Sequence, residues 1–142
     1  MDQKSVFSKE GSTMNEKYLI GKGGVRPYIT DGRTAGFEFG IKIPYYMGVP
    51  LSQIDHIRIW LDGEEVPQED LRLIMDTGEI FTRDEITTVA TYFWEYGSEL
   101  RTVVLRESPL EPGEHRLDIA VGIAVFYFPK GTTNRAHLDF TV

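Results

Sequence analysis

The chain has no cysteine, which removes disulfides, zinc–thiolate centres and thiol nucleophiles together and fits a reducing compartment, so a cytoplasmic location is expected. It lacks any apolar run approaching the roughly 20 residues of a membrane helix, and no charged stretch followed by an apolar one marks a secretory leader, so no membrane association is expected. Basic charge is also short: fifteen Lys and Arg stand against twenty-two Asp and Glu, a net charge of −7. The basic residues do not cluster, so phosphate backbones are repelled and no nucleic-acid partner is expected. Helical periodicity, internal repeats and low-complexity segments are missing as well.

What is there is a chain long enough, at 142 residues, for one domain with its own hydrophobic core. Residues 1–13 are polar and aperiodic and precede a second methionine, Met14, which predicts a disordered or extension segment before a domain over 14–142. Within the domain the dominant period is two. Phe37, Phe39, Ile41 and Ile43 alternate with Glu38, Gly40 and Lys42, as a strand with one buried face requires, and Pro44 ends it. Ile57, Ile59 and Leu61 alternate with His56, Arg58 and Trp60, and Asp62-Gly63 then supplies the positive-φ pair of a tight hairpin, with a return strand near Glu65. Asp76-Thr77-Gly78 separates Leu71–Met75 from Glu79–Phe81 as a second hairpin, and Thr82-x-x-Glu85 can cap one short helical turn. Further strands are expected over Leu100–Leu105, over His115–Phe128 after the proline-stiffened turn 108–114, and over Ala136–Val142. In the longest, Leu117, Ile119, Val121, Ile123, Val125 and Tyr127 share a face, while Ala120, Gly122 and Ala124 let another element approach the opposite one. Six to nine strands at this spacing predict an all-β fold, an antiparallel β-sandwich or jelly roll.

Catalytic and metal-binding patterns are thin. His56, His115 and His137 are far apart in sequence, without the close spacings of a metal site, and read as rim or surface histidines. No Gly-x-Ser-x-Gly elbow occurs, and Gly21-Lys22-Gly23-Gly24 lacks the Lys-Ser/Thr ending of a phosphate loop, so it reads as a turn. Asp62-Gly63-Glu64-Glu65 and Glu69-Asp70 lack calcium-loop spacing and read as solvated turns. Glu95, between Trp94 and Tyr96, is the best carboxylate for glycoside hydrolysis, against the alternative that the two aromatics anchor a core or interface; no second carboxylate is named by sequence.

The most informative stretch is Ile43-Pro44-Tyr45-Tyr46-Met47-Gly48-Val49-Pro50-Leu51-Ser52. Its prolines and glycine exclude a regular helix or central strand, yet its aromatic and aliphatic content is too apolar for a solvated loop. It either folds back on its own domain or forms a surface for a partner, where Tyr and Met are enriched.

That stretch with the preceding Gly36-Phe37-Glu38-Phe39-Gly40-Ile41-Lys42, then Asp62-Gly63, Trp94-Glu95-Tyr96-Gly97 and Leu110-Glu111-Pro112-Gly113-Glu114-His115, resembles the small β subunit of bacterial C-glycoside deglycosidases. The resemblance runs from about Tyr18 to the C-terminus, and Pro44 to Ser52 is its most specific part. It implies an accessory subunit packed on a larger TIM-barrel α subunit in a hetero-oligomeric lyase. The α subunit holds a divalent metal, usually manganese, and most of the catalytic groups; this chain holds no cofactor and is inactive when isolated. The implied substrate is a 3-oxo-C-glycoside made by a separate oxidoreductase. Its ketone acidifies the neighbouring C–H so that a base can drive elimination of the aromatic aglycone across the C–C bond, with the metal stabilising the developing charge. Pro44, Tyr45, Tyr46, Met47 and Pro50 are thereby assigned to partner contact or the active-site rim, and no residue to chemistry. Two other classes stay open: a freestanding carbohydrate-binding β-sandwich with Tyr45, Tyr46, Trp60 and Trp94 as a stacking platform, and a self-contained glycosidase using Glu95.

Overall fold

Two antiparallel sheets enclose one apolar core, in a computed structural model that describes residues 19–42, 49–75, 77–88, 93–94, 99–123 and 133–142. Strands are numbered in chain order. The five-stranded sheet contains β1 (Arg26–Thr30), β2 (Arg33–Lys42), β6 (Leu71–Ile74), β7 (Ile80–Thr82) and β9 (Glu99–Leu105), ordered β1-β2-β9-β6-β7. The four-stranded sheet contains β4 (Ile54–Leu61), β5 (Glu64–Glu65), β10 (Glu114–Ile123) and β11 (Asn134–Thr141), ordered β11-β10-β4-β5. A small ribbon pairs β3 (Val49–Pro50) with β8 (Phe93–Trp94). Only short 3-10 turns interrupt the strands among the described residues.

The alternating pattern explains the layers. Phe37, Phe39, Ile41, Leu71, Leu73, Leu100 and Val104 of one sheet meet Ile57, Ile59, Leu61, Leu117, Ile119 and Val121 of the other, all buried. Full burial of each such side chain contributes about 1.5–3 kcal/mol before chain entropy is subtracted. The Asp62-Gly63 hairpin forms as expected, with φ of 52° and 88°, and β5 returns from it against Trp60 and Leu61. The capping box also closes: Thr82 N–H donates to Glu85 Oε1 at 2.8 Å and Glu85 N–H to Thr82 Oγ1 at 3.2 Å.

Three expectations change. Strand β1 has no counterpart in the periodicity reading, because Arg-Pro-Tyr-Ile-Thr forms a mostly exposed edge strand, irregular between Tyr28 and Ile29 and paired only with β2. Its hairpin is another Asp-Gly turn, Asp31-Gly32, with φ of 53° and 75°. The face of β2 opposite the core is also covered, since Glu38 is buried under Arg101, which donates from Nε at 2.8 Å and Nη2 at 3.1 Å. At Gly122 of β10 the room is taken by a side chain of the adjoining strand: the His56 ring occupies the space over it. Residues 1–18 and the expected β10 continuation, Ala124–Phe128, lie outside the described residues.

Candidate functional site

Of the residues assigned to partner contact, Pro44, Tyr45, Tyr46 and Met47 lie outside the described residues, as do Glu95 and Tyr96. Pro50 is placed in β3 opposite Phe93, and Val49 opposite Trp94. This ribbon ends four residues before β4 begins and five before β9 begins, so it ties together the starts of one strand in each sheet. The turn at Leu51–Gln53 between Pro50 and β4 packs on the turn at Glu85–Thr88.

The best-built cluster among the described residues stands directly after that turn. In β4 the register with β10 slips: His56 faces Gly122, while Ile54 faces Ile123, leaving Asp55 as an extra residue. A regular strand sends adjacent side chains to opposite faces, whereas this bulge lets Asp55 Oδ2 reach the Nδ1 of its neighbour His56 at 2.9 Å. The other ring nitrogen, Nε2, lies 3.1 Å from Thr133 Oγ1, at the entry to β11. Beneath the ring, a Cβ on Gly122 would stand 2.2 Å from His56 Cε1, so glycine is the residue that seats the imidazole there. From the turn after β7 Arg83 reaches across, its Nη2 donating to the Asp55 carbonyl at 2.9 Å. Burial pushes the Arg83 pKa below its ordinary value despite the favourable charges of Asp55 and Asp84.

Three residues of this cluster, Asp55, Arg83 and Thr133, were not candidates from sequence. One signal was available. Ile54 and Ile57 are both buried yet three apart, whereas Ile57, Ile59 and Leu61 keep a spacing of two; such a phase break marks an inserted residue.

At the other end of the four-stranded sheet, His115 joins Asp62 and the 109–113 turn. Nδ1 lies 2.7 Å from Asp62 Oδ2 and Nε2 2.7 Å from the Glu111 carbonyl, while the ring stacks on Phe140 with centroids 5.5 Å apart. The Glu111 carbonyl first, then the Asp62 carboxylate, raise the His115 pKa above its ordinary value. Asp62 is pushed up by desolvation, but the hydrogen bonds from His115 and from Arg116 N–H outweigh it and hold the carboxyl below its usual range. His115 is therefore a clasp rather than a simple rim residue.

On the outward face of β4, Arg58 makes a forked pair with Glu65 at 2.9 and 2.7 Å and lies over the Trp60 ring, 5.0 Å from its centroid. The Glu65 hydrogen bond raises the Arg58 pKa and lowers that of Glu65. In the acidic stretch read as a solvated turn, residues 62–65 are exposed, with Glu65 and Asp62 paired to Arg58 and His115. Among the described residues no group of three His, Asp or Glu side chains gathers as a metal site does, and no helix is long and apolar enough to cross a membrane.

Comparison with known proteins points one way. A family profile described as "C-glycoside deglycosidase beta subunit" matches residues 15–127. A curated protein of that name from Eubacterium cellulosolvens is 29% identical over 99 residues, covering 70% of this chain and 67% of the relative. Another of the same name, from Microbacterium trichothecenolyticum, is 29% identical over 111 residues, covering 78% of this chain and 81% of the relative. The sandwich, its proline-rich entry into β4 and the match over most of its length lead to one assignment: the chain belongs to the C-glycoside deglycosidase beta subunit family.

Proposed function

We propose that this chain is the accessory β subunit of a heteromeric carbon–carbon lyase that cleaves 3-oxo-C-glycosides by elimination, working in the cytoplasm on a TIM-barrel α subunit. The observation that carries the reading is the family match over residues 15–127. In this reading the α subunit holds the manganese and the catalytic base, and Pro44, Tyr45, Tyr46, Met47 and Pro50 dock on it or line the rim of its active site. The position of Pro50 supports the second part, because the β3–β8 ribbon is anchored to both sheets within a few residues. A short, tethered apolar element opposes docking with little ordering entropy.

The rival sugar-binding platform is weakened by Trp60. The Arg58 guanidinium already lies over that ring, and a sugar stacking on the same face would have to displace a cation that Glu65 also holds.

Co-expression with the neighbouring gene products and purification through this chain tests the assignment. A barrel subunit is expected to co-elute in fixed stoichiometry. A chain that elutes alone and binds free glycosides by itself overturns the subunit reading in favour of the binding module.

A further inference from the structure

The Asp55–His56–Thr133 chain has no part in the reading above, yet four features of the fold converge on it. We propose that it is a proton relay of the assembled enzyme, in which His56 Nε2 exchanges a proton through the Thr133 hydroxyl and Asp55 is the positioning residue for the ring. The proposal rests on the subunit reading for its substrate class, a sugar ketone bearing free hydroxyls.

The hydrogen bonds have a direction. An ionised carboxylate only accepts, so the Asp55 contact at 2.9 Å requires a proton on Nδ1. In the neutral ring that leaves the Nε2 lone pair aimed at Thr133, whose hydroxyl is then the donor across 3.1 Å. A hydroxyl bonded to an imidazole, itself oriented by a carboxylate, is the arrangement from which a proton moves without reorganising its surroundings. The ring is held on its other sides by the Gly122 seat and by the bulge, which Arg83 pins through the Asp55 carbonyl.

Exposure is graded along the chain. Thr133 retains 9% of its surface, the His56 side chain 25% and that of Asp55 57%, so the hydroxyl lies at the inner end and the ring meets water. Pro50 of the proposed docking element precedes Asp55 by five residues, with the Leu51–Gln53 turn between them, so the chain holds the two within about 18 Å of each other.

The proton balance is simple. A hydroxyl of the sugar ketone gives its proton to Thr133 Oγ1 as that oxygen passes its own to His56 Nε2, while the acidified C–H is left to the base of the α subunit. The imidazolium faces the Asp55 carboxylate and releases a proton from Nε2 or Nδ1 to water, or returns it through Thr133 to the carbon of the departing aglycone. Electrons stay with the substrate, and no further reactant is needed.

Two measurements test the relay. Long-range 1H–15N NMR on the isolated chain reads the tautomer, and the neutral His56 ring is expected to carry its proton on Nδ1. In the co-purified complex, His56→Gln and Thr133→Val are expected to lower kcat for a 3-oxo-C-glycoside by about 100-fold or more, the usual range for proton transfer by a positioned side chain. Melting temperature and co-elution should stay near the parent's, and Thr133→Ser should restore the rate. Asp55→Ala should lower kcat as well and, in the same NMR measurement, remove the preference of the neutral His56 ring for a proton on Nδ1. An Nε2–H tautomer overturns the relay alone, whether or not the variants assemble, as do His56→Gln and Thr133→Val complexes with the parent's kcat and pH profile. A parent chain that captures no barrel protein overturns the subunit reading and, with it, the relay.

Discussion

The two ends of the four-stranded sheet each carry an aspartate–histidine pair with both ring nitrogens engaged, and they are built for different purposes. His115 sits between the Asp62 carboxylate and the Glu111 carbonyl. Both are acceptors only, so the ring satisfies them together only as the imidazolium. His56 sits between a carboxylate and a hydroxyl, and a hydroxyl can give or take a proton, so this ring keeps both contacts in either charge state. The partner on Nε2 thus separates a histidine that locks a turn from one suited to moving protons. The hairpin end is read as stabilising the fold, and the bulge end, which follows the β3–β8 ribbon in the chain, carries the relay proposed for the assembled enzyme.

The largest expected effect is on docking and leaves the His115 end untouched. Replacing Tyr45 and Tyr46 together by alanine should leave folding intact and weaken binding to the α subunit, since hot-spot truncations cost about 2 kcal/mol or more each, about thirtyfold in affinity apiece. Isothermal titration against the α subunit reads this; an unchanged affinity would move the docking site to the outward face of β4, His56, Arg58 and Trp60. His115→Gln is expected to lower the melting temperature while leaving that affinity as it was.

Next comes the seat of the bulge-end histidine. Gly122→Ala places a methyl where the His56 ring lies, and overpacking of this kind costs about 1–3 kcal/mol. The same change made in a His56→Ala background should cost almost nothing. A double-mutant cycle on thermal unfolding measures the difference, and equal costs in both backgrounds would show that the ring does not occupy that space in solution.

The hairpin end answers to pH. Because the folded His115 pKa is raised, the stability it adds is fully present below the unfolded value near 6.5 and is lost as pH rises through the folded value. Asp62 runs the other way: its pKa is lowered, so its contribution is present above the usual carboxylate range and is lost as pH falls through the folded value. The clasp is therefore strongest in mildly acidic solution, between those limits. Charge-assisted hydrogen bonds contribute about 1.5–3 kcal/mol, with the lower figure apt for a half-exposed aspartate. Melting temperature should fall from pH 6 to pH 9 in the parent and do so less in His115→Gln; parallel curves would remove His115 from the clasp.

How much of this was legible in the sequence differs between the ends too. Asp62-Gly63 announced its turn because positive φ restricts the residues allowed there, and Thr82 with Glu85 announced a cap because that chemistry is local. The partner of Asp62 was not legible: His115 is 53 positions away, and only strand register brings the two together. At the other end the rule of alternation itself concealed the site. It places Asp55 and His56 on opposite faces, and a single inserted residue reverses that. Gly122 was legible as a place needing room, but its occupant was not.

The smallest expected effect lies outside both ends. Residues 1–13 supply little apolar area, so we propose that they contribute little to the fold, and a chain starting at Met14 should melt within about 4–8 °C of the parent, the shift that ~1 to 2 kcal/mol gives in a domain near this size. A larger drop on calorimetry would make the segment part of the domain.

The most direct measurement of the central claim is the rate of C–C cleavage of a 3-oxo-C-glycoside, followed with manganese present as the purified α subunit is titrated into this chain. The subunit account predicts no turnover from this chain alone and a rate that rises to a plateau at the stoichiometry of the complex. Turnover by the isolated chain at the rate of the complex would contradict it.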